Sequence, residues 1–173
     1  MPNWCSCDLH VTGPKAEREK FVEAARSTEV VDGEVSVLDA NNFIPYPKEF
    51  RDQDEVARAW DKAHKDDRPL SWRERPKDGY NSGGYEWCIE NWGTKWNFVQ
   101  ATVSSTARQV VFGFETAWSP PTPVIEKMSA MFPKLKFVLC YFEGGMGFQG
   151  KCVFKGGEMV EELTGSYKGN RGG

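Results

Sequence analysis

Twice along this chain a run of strand character breaks at proline into an amphipathic helix, and that repeated joint narrows the folds open to it. The first run is Trp4 to Thr12, with Leu9 and Val11 on one face. Gly13-Pro14 ends it, and Pro14 suits a first helical turn, where a missing N–H costs nothing. Lys15 to Arg26 then sets Phe21, Ala24 and Ala25 on one side and charged residues elsewhere, the pattern of an amphipathic helix. In the second joint a strand over Gln109 to Thr116 breaks at Trp118-Ser119-Pro120-Pro121. Thr122 is expected to cap the next helix with Pro123 at its first position, and Val124, Ile125, Met128, Met131 and Phe132 share a face before Pro133.

The remaining elements complete the order. Glu34 to Leu38 reads as a short second strand, and Trp96 to Ser104 as the hairpin partner of Gln109 to Thr116. Residues 136 to 142 are a nearly continuous apolar run, as in a central strand. Phe148, Gly150, Cys152 and Phe154 alternate along a further strand, and Glu158 to Leu163 forms a last short one after Gly156-Gly157. The series β-α-β, insertion, β-β-α-β, hairpin predicts an α+β fold. Its expected form is a ferredoxin-like antiparallel sheet with both helices on one face and an extra C-terminal hairpin at one edge. The expected organisation is a single domain over residues 1–163, followed by a Gly-rich flexible tail over 164–173.

Residues 48 to 84 read as a charged helical insertion. Val56, Ala59, Trp60 and Ala63 recur at helical spacing behind Asp52, Asp54 and Glu55, which suit a helix N-terminus. After Arg68-Pro69 the pattern dissolves into an expected mobile arm, and Asn81-Ser82-Gly83-Gly84 reads as a loop.

Composition sets outer limits. With 173 residues, 39% of them hydrophobic and 27% charged, the chain can bury a core without disulfides or metal. Lys+Arg 22 against Asp+Glu 25 gives a net charge of −3, which argues against a dominant basic surface for duplex DNA. Apolar stretches fall well short of the roughly 20 residues that cross a bilayer, and Met1-Pro2-Asn3-Trp4 does not read as a signal peptide. The expectation is a cytoplasmic protein with no membrane role. Its five cysteines (Cys5, Cys7, Cys88, Cys140 and Cys152) are odd in number and read as buried, reduced thiols. Cys5-x-Cys7 with His10 or Cys88 would make a poor zinc site, because no second ligand pair exists; no metal or cofactor is expected.

Two patterns carry chemistry. His10-Val11-Thr12 has the His-x-Thr form of phosphoesterases that use two such motifs, one imidazole as base and the other as acid. The second copy is missing, since His64 is followed by Lys65-Asp66; a strand-surface histidine is the plainer reading. The aromatic block is richer: Trp87, Trp92 and Trp96, with Trp118 beyond the hairpin, interleaved by Asn91, Gly93, Thr94 and Lys95. Flat rings, donors and one cation suit a base and a phosphate, or a protein hot spot, and would serve equally well as core. Glu143 is either a polar anchor beside this block or a turn residue.

Met1-Pro2-Asn3-Trp4-Cys5, Asn91-Trp92-Gly93-Thr94-Lys95-Trp96, Thr116-Ala117-Trp118-Ser119-Pro120-Pro121 with Pro123, Phe132-Pro133 and Tyr141-x-Glu143 resemble the YubB-like family of phage and conjugative-plasmid proteins. Where that pattern has Asn two residues after Cys5, this chain has Cys7. The resemblance implies a ferredoxin-like domain and a mobile-element setting, and it brings no catalytic residues.

The resulting expectation is a non-catalytic accessory protein that captures a host protein or a nucleotide-like molecule, with counter-defence as its setting. Trp92 and Trp118 would stack, Lys95 would meet a phosphate or carboxylate, and Asn91 and Thr94 would hydrogen-bond, with Trp96 and Glu143 alongside. The alternatives are a phosphodiesterase-like activity using His10 and Thr12, and single-stranded nucleic-acid binding on the sheet. An exposed last strand leaves pairing of two copies open.

Overall fold

The computed structural model describes residues 3–31, 33–65 and 74–169. Six long strands form one sheet: β1 (Trp4–Thr12), β4 (Val99–Ser105), β5 (Gln109–Ala117), β6 (Lys136–Glu143), β7 (Phe148–Lys155) and β8 (Glu158–Ser166). Their spatial order is β4-β5-β1-β6-β7-β8, with every neighbouring pair antiparallel. Four α-helices accompany them among the described residues: α1 (Lys15–Ala25), α2 (Lys48–Ala63), α3 (Gly84–Trp92) and α4 (Thr122–Met131). Strands β4, β5, β1 and β6, with α1 and α4, are the split β-α-β arrangement; β7 and β8 extend the sheet beyond β6, as the sequence predicts.

Alternation in the strands gives the sheet one dry and one open face. Cys5, Cys7, Leu9 and Val11 of β1 lie beside Val110, Phe112 and Phe114 of β5 and Phe137, Leu139 and Tyr141 of β6. Phe21 and Ala25 of α1, Cys88 and Trp92 of α3, and Val124, Ile125 and Met128 of α4 join them in a single core. Phe21 is its hub, edge-on to Phe112, Phe132 and Phe137 at 5.1 to 5.7 Å. Arg18 is buried on the same helix, and its guanidinium donates to the carbonyls of Gly13, Thr106 and Ala107. It thereby ties the β4–β5 turn to α1 while leaving no buried charge without acceptors.

Several expectations are corrected. Glu34 to Leu38 is not the second strand of the sheet. Among the described residues Glu34–Val35 (β3) pairs only with Val30–Val31 (β2), in a small separate hairpin, while Leu38 turns into the core. The place beside β1 goes to β5, which pairs with it over nine residues, from Trp4↔Ala117 to Thr12↔Gln109. Strand β4 begins at Val99, not Trp96. Met131 of α4 is exposed, whereas Ser129 is buried and its hydroxyl accepts from the Gly157 amide. The last strand continues through Ser166, and Tyr167 packs on Phe142, so the chain remains ordered three residues past Leu163 and beyond.

The insertion also differs from its pattern. Residues 74–84, beyond α2, fold back on that helix through polar groups. The Asp54 carboxylate accepts from the Tyr80 amide, and Arg75 bridges Asp61 and Asp78 at 2.9 Å each. The packed face of α2 is therefore Phe50, Asp54, Ala57 and Asp61, and Val56 is exposed. Trp60 stacks on His64 at the helix end. The expected arm after Arg68 falls largely on residues 66–73, outside the described residues. The expected loop at residues 81–84 holds a 3-10 turn (Tyr80–Ser82) leading into α3.

Candidate binding surfaces

The aromatic block divides between interior and surface. Residues Gly84 to Trp92 form α3, with Cys88 and Trp92 turned inward at i, i+4 spacing. Trp92 is 4% exposed; its indole N–H donates to the Ile44 carbonyl at 2.8 Å, and Trp87 and Tyr46 pack against its ring. Asn91 donates to the Trp87 carbonyl one turn back. Gly93 closes the helix in the left-handed region (φ 77°), where a Cβ would lie 2.6 Å from Pro123 Cδ. Thr94 is 1% exposed, with its hydroxyl shared between the amide and carbonyl of Ala117. The Ser119 hydroxyl donates to the Gly93 carbonyl at 2.6 Å. The two quoted motifs, 91–96 and 116–121, thus bolt the end of α3 to the end of β5. The polar groups of Asn91, Thr94 and Ser119 are engaged inside the protein.

Glu143 is likewise interior, 2% exposed. Its carboxylate accepts from the amides of Gly145 and Met146 and so shapes the β6–β7 turn. Of the two roles open to it, the structure assigns that of a turn residue. Trp96 meets Trp4 edge-on at 6.3 Å.

What reaches the surface from this block is Lys95 and Trp118. Trp118 is 39% exposed and sits at φ 74°, a left-handed conformation that costs a bulky residue about 1–3 kcal/mol. The Lys95 ammonium lies 4.6 Å from the Trp118 ring centre and 5.7 Å from that of Tyr85. Tyr85 and the 43%-exposed Ile89 of α3 complete a concavity of about 360 Å³ with them. Tyr85 and Ile89 were not singled out from sequence; their spacing from Cys88 and Trp92 on a Gly93-terminated helix was the available signal.

The open face of the sheet holds a second set of groups. His10 and Thr12 stand on it, His10 between Val111 and Val138, while His64 lies at the end of α2, so the two imidazoles belong to different elements. Further along β1 come Asp8 and Ser6, which border a polar concavity of about 360 Å³ with Gln100, Thr102, Glu115 and Phe142. Gln100 sits at φ 52° in a bulge of β4. Beyond Phe142 a larger groove of about 500 Å³ crosses β6, β7 and β8.

Four thiols, Cys5, Cys7, Cys88 and Cys152, are buried, Cys140 is half-buried on the open face, and none of the five is in a disulfide among the described residues. Burial pushes the Cys88 thiol up to about 12, helped by the nearby Asp54 charge, which keeps it protonated and unreactive at neutral pH. Among the described residues no group of three or more His, Cys, Asp or Glu side chains converges to hold a metal ion. No helix among them is long and apolar enough to cross a membrane.

The family model of the ferredoxin-like domain in Api92-like protein matches residues 91–170. No curated protein matches the chain. Among solved structures, a protein api92 from Yersinia pseudotuberculosis is similar at 12% identity and a TM-score of 0.57, covering 98% of this chain and 99% of that one. At that identity the likeness concerns the fold, and it extends to β1 and α1, which precede the matched segment. Residues 91–170 are therefore similar to the ferredoxin-like domain of Api92-like protein, and the chain as a whole shares its fold with the Yersinia protein.

Proposed function

We propose that the chain is a non-catalytic binding protein that engages a bacterial host protein through Tyr85, Ile89, Lys95 and Trp118. In this reading it is a phage or plasmid accessory protein of the YubB-like kind, working in the host cytoplasm against host defence. The motif resemblance supplies that setting. The binding surface rests on one observation: Trp118 is held in a strained backbone conformation that leaves its ring partly exposed beside a cation. Core packing does not require that arrangement, and strain of this kind collects at functional positions. Tryptophan, tyrosine and a cation around a partly apolar hollow are the ingredients of an interface hot spot. Lys95 makes no ion pair among the described residues, so its charge remains for an acidic side chain of the partner. Because its ammonium already lies over the Trp118 ring, a protein carboxylate fits the patch better than a stacked base.

The test places a photo-crosslinking amino acid at position 89 and compares capture from host lysate by the parent chain, Trp118→Ala, Lys95→Glu and the exposed control Lys15→Ala. The expected result is one host protein that crosslinks from position 89, is kept by Lys15→Ala, and is lost by both patch variants. A hot-spot side chain is worth about 2 kcal/mol or more, enough to remove it from the captured set. If no crosslinked species depends on Trp118 and Lys95 in folded variants, the reading fails.

A further inference from the structure

We propose that the groove on the open face across β6, β7 and β8 binds a single nucleotide, an aromatic base bearing phosphate. The groove is a different site from the Trp118 patch, with its own lining.

The register builds it. Phe142, Gln149 and Gly165 are cross-strand partners in one row, and Cys140, Lys151 and Leu163 in the next, so these residues share the open face. Tyr167 follows β8, its amide donating to the Gly147 carbonyl at 2.7 Å, and folds back so that its ring lies nearly flat on Phe142, at 5.0 Å and 12°. Where one side of a sheet is left without a helical layer, this aromatic platform stands on that side and borders the groove. Its volume of about 500 Å³ falls in the range of small-molecule sites.

The lining defines the ligand. A flat π-surface takes a heteroaromatic ring, with stacking that tolerates any base. Gln149 offers both a donor and an acceptor to the edge of such a ring. Lys151 and Lys168 border the groove; Lys151 is paired with Glu161 at 2.8 Å, and Lys168 makes no ion pair among the described residues. That leaves one uncommitted cation for phosphate. Gly165 has open space where a side chain would be, which keeps this end of the groove clear.

A polynucleotide is disfavoured by what lies across Phe142. There the face continues into the concavity bordered by Asp8 and Glu115, and a phosphate chain crossing the sheet would meet those carboxylates. Within the groove the cation without an ion pair among the described residues is Lys168, which suits a compact ligand with its phosphate at that end.

The test is calorimetric titration of the full chain with AMP, GMP, CMP and UMP, with inorganic phosphate, and with an oligo(dT) strand. At least one nucleotide should bind saturably, one per chain, below about 1 mM. Tyr167→Ala should weaken it by at least about tenfold, Tyr167→Phe should keep it within about threefold, and Lys168→Glu should weaken it by several-fold. Phosphate alone should bind far more weakly, since the ring supplies much of the affinity. The proposal falls if none of the four nucleotides binds, or if affinity is unchanged in both Tyr167→Ala and Lys168→Glu. It falls equally if phosphate binds as tightly as the nucleotide, or if oligo(dT) binds more tightly with a steep salt dependence. Should Tyr167→Ala unfold, the Tyr167→Phe and Lys168→Glu pair decides alone.

Discussion

The Thr94 hydroxyl and the Ala117 peptide are joined twice: Oγ1 accepts from the Ala117 amide and donates to the Ala117 carbonyl, each at 3.1 Å. Both ends are buried, so this one side chain satisfies two backbone groups at the end of β5, immediately before Trp118. Thr94→Val keeps the shape and removes both bonds. It should cost about 2–4 kcal/mol in urea unfolding, because two buried backbone groups lose their partner. Thr94→Ser keeps the hydroxyl and should cost no more than about 1 kcal/mol, the share of one buried methyl. Equal losses for the two would show that packing, not the double bond, holds the joint.

Trp118 supplies a separable test of strain. At φ 74° an alanine is strained and a glycine is not. Trp118→Gly should therefore be more stable than Trp118→Ala by about 1 kcal/mol, although both lack the ring and both should lose the host partner. A Trp118→Ala chain at least as stable as Trp118→Gly would mean that the backbone relaxes out of the left-handed region.

Stability should fall in alkali. Burial pushes the Cys88 thiol up to about 12 from its usual 9, and the Tyr80 and Tyr141 hydroxyls up to about 12 from 10. Above about pH 9 the unfolded chain releases protons that the folded chain retains, so rising pH favours unfolding. Stability is fully present below pH 9 and declines toward pH 12, by a few kcal/mol in all. Urea midpoints measured at stepped pH values check the slope, which Cys88→Ala should reduce. A flat profile between pH 9 and 11 would contradict the burial of these groups.

Much of the sheet was legible from sequence because its signals are local. Leu9 and Val11, Phe148 to Phe154, and the proline-opened helices state their periodicity within a few residues, and the structure follows them. The errors share another cause. Glu34 to Leu38 has strand character, but which segment lies beside β1 is a long-range contest, won by the nine-residue register of β5. Val56 and Trp60 form an apolar stripe on α2, yet the helix is held by Asp54 and Asp61 through partners in residues 74–82, polar contacts that a hydrophobic pattern does not register. The same limit applied to the sites. Lys95 and Trp118 reach the surface as residue type suggested, but Trp92, Thr94 and Glu143 drew notice for polar or aromatic character that is consumed inside. Tyr167 went unnoticed in a glycine-rich tail; its role depends on Phe142, 25 positions earlier in the chain.

All nine residues of β8 are exposed, at the outer edge of the sheet, with Val160 and Leu163 bare. Such an edge is a template for sheet growth, and this one bears Glu158, Glu161 and Glu162. A two-fold pairing centred on Glu162 would set that carboxylate against its own copy, which like-charge repulsion opposes. In that register the edge would discriminate by charge: identical strands would repel one another, while a lysine- or arginine-bearing strand would meet complementary carboxylates.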